Sequence, residues 1–182
     1  MPDGSIKVRG IAARRHDTPE YIRNMQRGML SVMAGAATIN GIGAVKDQVT
    51  AIYRHAVQDL PYAAAKEMVI NRRISRLTYA HRCIEGAAVN AYRNEGVAVA
   101  PGMKISYVVR DARKYKVDPV WSAGSSDVPY YRDLLDKAWG EISYAFTSGS
   151  GDRVEAVESS AKQKTDDKDR CRHDNNACPL CW

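Results

Sequence analysis

No run of 18 apolar residues occurs anywhere in the 182-residue chain, so no membrane-crossing helix is expected. Behind the basic residues of the N-terminal MPDGSIKVRG there is no apolar segment, so a secretory signal is not expected either, and the chain reads as cytoplasmic. The phosphate-cradling GxxxxGK[ST] loop, the G-x-G-x-x-G dinucleotide fingerprint and the H-E-x-x-H metallopeptidase helix are all missing. No carboxylate pair is placed for two-metal phosphoryl transfer; Asp166-Asp167 belongs to a charge run near the end. These absences exclude a self-sufficient active site of any of those kinds. Cysteine is scarce outside the last dozen residues, where Cys171, Cys178 and Cys181 crowd together. An intracellular chain of this length does not need disulfides. The isolated Cys83 is expected to be a small buried apolar residue.

Apolar residues make up 45% of the chain, enough for a real core, and the formal net charge is +6. The charge is unevenly spread. Residues 1–146 carry 21 Lys/Arg against 14 Asp/Glu, an excess of 7 positive charges, whereas residues 147–182 carry 6 against 7. The part with a core is therefore the basic part. That balance suits a polyanionic partner, although a basic surface kept soluble by its charge reads the same way.

Local patterns imply an α+β fold, mainly helical with a few short strands. Residues 5–14, SIKVRGIAAR, alternate like a strand. Thr18 can cap a following helix, with Pro19 at the first helical position and Glu20 favouring the positive helix end. Ile22, Met25, Met29, Val32 and Met33 then recur at helical spacing, a stripe better suited to a core than to a partner groove. Gly41 and Gly43 break the pattern. A second helix over 44–58 turns Val45, Val49, Ile52, Ala56 and Leu60 to one side, and Pro61 ends it. Met68-Val69-Ile70 is a short extended segment leading into NRRISR. A helix over 83–95 presents Ile84, Ala88, Ala91 and Tyr92 and stops at Gly96. Pro101-Gly102 is a turn, followed by a half-buried strand in which Met103, Ile105, Tyr107 and Val109 alternate with polar residues. A polar loop then runs to a last helix near Asp127, with Tyr131, Leu134, Leu135, Ala138, Ile142 and Ala145 inward. From Thr147 the apolar content collapses, and a disordered tail is expected because too little apolar surface remains to offset ordering entropy.

Three constellations carry chemistry. Arg72, Arg73, Arg76 and Arg82 cluster with Ser75, Tyr79 and His81 between them. Guanidinium groups fork onto phosphate oxygens and hydroxyls add short contacts to the same backbone, which gives affinity without base specificity. A solvated polar loop with a few surface ion pairs is the competing reading. Arg14-Arg15, just ahead of a helix start, would also suit a phosphate, unless one of them pairs with Asp17. Finally, Cys171, His173, Cys178 and Cys181 are four residues of the type zinc favours. Only a single C-x2-C pair in a polar tail carries that signal, and an unstructured tail is the alternative.

Four segments, in order, resemble the C-terminal palm-end and thumb portion of archaeal family B DNA polymerases. IKVRGIAARRHDTPEYIRNMQRGML resembles the last palm strand, an arginine pair and the first thumb helix. VINRRISRLTYAHR resembles a thumb segment in which an isoleucine precedes a hydroxyl residue and an arginine. VAVAPGMKISYVV resembles a glycine turn and its strand, and DVPYYRDLLDKAWGEISYAF the closing helix with its double tyrosine. The resemblance implies that residues 1–17 end the palm, the first strand completing its sheet, that 18–146 form the thumb, and that 147–182 are a polar tail. It matches Arg14 and Arg15 to the arginine pair, Ser75 and Arg76 to the step that meets duplex phosphates, and Arg82 to the neighbourhood of a thumb lysine. His16 separates the arginine pair from Asp17, where many members place the aspartate directly after it.

The family's DxxSLYP and YGDTDS motifs and its exonuclease carboxylates are not in this chain. The implied partners are therefore primer–template duplex DNA and a large polymerase chain with palm, fingers and exonuclease. The metal-binding aspartates and their Mg2+ belong to that large chain, and no cofactor is implied for this one. A small subunit of a split DNA-directed DNA polymerase, a non-catalytic duplex-binding or regulatory protein, and a decayed polymerase fragment all fit these residues.

Overall fold

The structure is a computed structural model that describes residues 11–36, 41 and 43–147, all within the compact unit Met1–Gly149. Residues 5–10 of the expected first strand, the tail beyond 147 and the four candidate zinc ligands lie outside the described residues.

Helix α1 (Glu20–Ala34) begins one residue later than the Thr18–Pro19 pattern implies. Pro19 has ψ 145°, so it stands outside the helix as its cap residue, and no side chain closes the first turn. Glu20 does sit in that turn, where it pairs with Arg23 and with Arg27 (2.8 Å). Ile22, Met25 and Met29 are buried, so the methionine stripe is core. Helix α2 (Lys46–Asp59) buries Val49 and passes into a 3-10 turn, Leu60–Tyr62, which holds Pro61. Helix α4 (Val128–Thr147) buries Tyr131, Leu135, Ala138 and Ile142, but Ala145 is exposed. Among the described residues no helix is long and apolar enough to cross a membrane.

Strands β1 (Ile70–Arg73), β2 (Lys104–Asp111) and β3 (Lys116–Pro119) form an antiparallel sheet in that order. Ile70 faces Tyr107 and Arg73 faces Lys104 across the first ladder. The register of the second shifts between Val109 and Asp111, a bulge that gives β2 one extra residue before the hairpin turns at Tyr115. β3 occupies what the sequence presents as polar loop. Pro119 is tolerated there because β3 is an edge strand and the missing N–H faces no partner. Gly102, at φ +86°, takes the left-handed position that the Pro101 turn requires.

Helix α3 (Ile84–Asn94) packs on this sheet. It starts on Cys83, whose Sγ accepts the Gly86 N–H at 3.3 Å, so this half-buried cysteine caps a helix instead of filling a core. It ends on Gly96 at φ +78°. There the Gly96 N–H reaches the Arg93 carbonyl (2.9 Å) and the Val97 N–H the Tyr92 carbonyl (3.0 Å), satisfying two of the last helical acceptors.

Two cores result. One lies between α3 and the sheet, with Met68, Leu60 and Tyr131. The other joins α1, α2 and α4, and Tyr21 and Leu134 pack against both. Asp127 ties the hairpin to α4: its carboxylate accepts the Ala112 N–H (2.6 Å) and the Tyr130 N–H (3.1 Å). The buried Tyr131 hydroxyl accepts the Val109 N–H at 2.9 Å. Tyr131→Phe leaves that amide buried and unsatisfied, so urea denaturation is expected to show a loss of about 1–3 kcal/mol.

The segment before α1 is a 3-10 turn, Ala12–Arg14, not the continuation of a strand. Its backbone bonds to helices instead of to a sheet: the Ala12 N–H to Glu141 Oε2 (2.7 Å) and the Ala13 N–H to Gln26 Oε1 (2.5 Å). Gln26 is fully buried and donates from Nε2 to the Ala138 carbonyl (2.7 Å) and to Glu141 Oε2 (2.9 Å).

Tyr21 donates to the Ala56 carbonyl at 2.7 Å, and burial, then Asp59 and Glu67, push its hydroxyl up to about 12. The unfolded chain releases this proton from its ordinary value of 10 upward, while the folded chain holds it. The contribution is thus intact below pH 10 and is lost as pH rises toward 12. Tyr21→Phe is expected to flatten the decline of the thermal midpoint across that window.

Candidate nucleic-acid interface

Strand β1 is too short to bury all it carries. Ile70 faces the core, Arg72 is half-buried and Arg73 is exposed. Across the ladder Arg73 meets the exposed Lys104. Like charges directly opposite are unfavourable, and an anion lying over both relieves the repulsion. Beyond the strand, Ile74 is buried and pinned by its backbone: its N–H reaches the Met103 carbonyl (2.8 Å) and its carbonyl accepts the Gly102 N–H (2.7 Å). This anchor leaves Ser75 and Arg76 exposed immediately after it.

The loop from residue 77 to α3 folds back over that helix. Tyr79 lies against Gly86, where even a β-carbon would come within 3.1 Å of the ring, so glycine allows the approach. Burial first, and then Glu85, hold the Tyr79 hydroxyl well above its ordinary pKa, so it stays protonated. Arg82 is exposed and its guanidinium lies 5.2 Å from the centroid of the Tyr115 ring. His81 is exposed beside it.

Arg72 separates from its neighbours. It turns to Asp17 (3.2 Å) and toward Glu85 (4.0 Å), a carboxylate that is almost fully buried. A buried carboxylate without a counter-charge is costly, so Arg72 has an internal task. Its contact with Asp17 also joins the N-terminal segment to β1. Arg14 and Arg15 are both exposed, and Arg15 reaches Glu141 at 3.5 Å. Asp17 therefore serves Arg72, and Arg15 finds its carboxylate on α4. Sequence reasoning missed Lys104, whose place opposite Arg73 follows only from the strand register, and Tyr115, whose place beside Arg82 follows only from the unexpected hairpin. Among the described residues no group of three or more His, Cys, Asp or Glu side chains is arranged to hold a metal ion.

No protein-family profile matches the chain, and no curated protein matches its sequence. Among solved structures, the fold is similar to part of the family B DNA polymerase from the hyperthermophilic archaeon Pyrobaculum calidifontis. The superposition has a TM-score of 0.55 at 16% identity and covers 75% of this chain. At that identity the likeness is one of fold. The chain spans 18% of the length of that polymerase.

Proposed function

We propose that this chain grips the backbone of double-stranded DNA as the palm-end (1–17) and thumb (18–146) portion of a family B DNA polymerase. The observation that carries this reading is the shared fold, over 75% of the chain, with part of an archaeal polymerase of that family. The exposed series Arg73, Ser75, Arg76 and Arg82, together with Lys104, supplies the chemistry. These groups are guanidinium, ammonium and hydroxyl, all donors to phosphate oxygens. Binding is therefore strongly salt-dependent and indifferent to sequence. The exposed Arg14 and Arg15, ahead of Asp17, are assigned to the same grip. Nucleotidyl transfer takes place on a separate large chain whose aspartates hold Mg2+; this chain holds and aligns the primer–template, and alone it does not extend primers.

Arg76→Ala tests the reading. Removing one phosphate contact is expected to raise the duplex Kd several-fold and to reduce the slope of log Kd against log salt by about 1, equally for unrelated sequences. An unchanged affinity at low salt would contradict the assignment. Primer extension by the large chain is expected to rise on adding this one and to rise less with the Arg76→Ala form.

A further inference from the structure

The loop after β1 also helps to close a cleft. With α3 and the β2–β3 hairpin it encloses about 320 Å3, the low end for small-ligand pockets and too little for a duplex. Its walls differ in kind. Tyr115 is the only non-glycine residue among those described with a positive φ, 54°. A bulky side chain is seldom found in that region, and such strain persists only where the surroundings impose it. Here it sets the ring in the cleft wall with the Arg82 guanidinium 5.2 Å from its centroid. Helix α3 contributes the exposed Asn90 and, one turn on, the exposed Arg93, which holds the loop in place through the Leu77 carbonyl (3.3 Å). Tyr79, seated on Gly86, forms the remaining wall.

The Arg82 guanidinium and the Tyr115 ring it lies over form one stacking surface for a nucleobase. A carboxamide offers a donor and an acceptor to a base edge, and an arginine takes the attached phosphate. Paired bases in a duplex show no free face, so the cleft has no use for them. An unpaired nucleotide shows both face and edge. We propose that this cleft receives one unstacked nucleotide of a single strand, next to the arginines that hold the duplex. The proposal rests on the DNA-binding reading above and adds a second, single-stranded contact to it.

The test compares the full chain with Tyr115→Gly and Asn90→Ala on a blunt duplex, the same duplex with a single-stranded overhang, a short oligothymidylate and thymidine monophosphate. Glycine adopts the positive φ without strain, so Tyr115→Gly deletes the ring while the turn is kept, and its thermal midpoint checks this. For the wild type the overhang is expected to tighten binding about tenfold, the size of one base–aromatic stack. Tyr115→Gly is expected to abolish that gain and Asn90→Ala to reduce it; Asn90→Ala leaves blunt-duplex affinity unchanged, and whatever blunt-duplex loss Tyr115→Gly causes by releasing Arg82 is smaller than its loss on the overhang. Arg76→Ala is expected to weaken both duplexes alike and keep the gain. An overhang advantage that survives in Tyr115→Gly overturns the proposal, as does a free mononucleotide that binds more tightly than the strand. Blunt-duplex binding with no overhang advantage in the wild type defeats the cleft assignment alone, whereas failure to bind any duplex defeats the DNA reading beneath it.

Discussion

Exchanging Gln26 for leucine is expected to lower the unfolding free energy by about 2 kcal/mol in urea denaturation. The two side chains have similar volume, so the loss comes from hydrogen bonding and not from a cavity. Gln26 is fully buried between α1 and α4, and each polar atom has work there. Oε1 accepts the Ala13 N–H, and Nε2 donates to the Ala138 carbonyl and to Glu141. Leucine leaves the Ala13 amide and part of the Glu141 carboxylate without these partners; both are only part-buried, so each costs toward the low end of the about 1–3 kcal/mol of an unsatisfied buried group. The damage should be local as well as global, since the segment ahead of α1 is held by these bonds and by the Ala12–Glu141 bond. Faster hydrogen exchange at Ala12 and Ala13 is expected before the rest of the unit opens. A loss below about 1 kcal/mol would mean that the network contributes little beyond what water supplies.

Reversing two charges, Arg73→Glu with Arg76→Glu, is expected to weaken duplex binding by about a hundredfold or more near physiological salt, as two phosphate contacts become repulsions. The salt slope should fall by about 2. The Arg73→Glu change taken alone should move stability the other way. Arg73 stands opposite Lys104, so a glutamate there replaces a like-charged cross-strand pair with an opposite-charged one, a gain of about 0.2–1 kcal/mol. Loss of binding with folding intact or improved separates a binding role for these arginines from a structural one. Arg72 behaves differently: its removal leaves the buried Glu85 short of its counter-charge, so Arg72→Ala should destabilise the unit before it affects DNA.

Long, regular patterns in the sequence carry through to the fold. The stripes of α1, α2, α3 and α4 each recur over several turns, and the alternation of β2 follows an unambiguous Pro-Gly turn; these elements lie within a few residues of where their periodicity puts them. Short or context-bound features do not carry through. β3 has four residues, of which Val117 and Pro119 are buried, and its charges and proline read as loop; only the partner β2 makes it a strand. Residues 12–14 look extended, yet a carboxamide 13 positions away and a carboxylate 129 positions away in sequence draw them into a turn. Cys83 reads as apolar filler because nothing local announces a sulfur as helix cap. The basic cluster is legible as a cluster, but not its division: the inward turn of Arg72 depends on the burial of Glu85 on α3, and the Arg73–Lys104 pairing depends on register.

The central claim, that the surface running from Arg73 to Arg82 holds a duplex by its phosphates, is tested most directly by hydrogen-exchange footprinting of the full chain with and without a duplex of arbitrary sequence. Slower exchange across residues 73–83 and around Lys104 is expected, fading as salt is raised and unchanged when the sequence is scrambled. Protection confined to α1 and α2, or protection that persists in high salt, would contradict it.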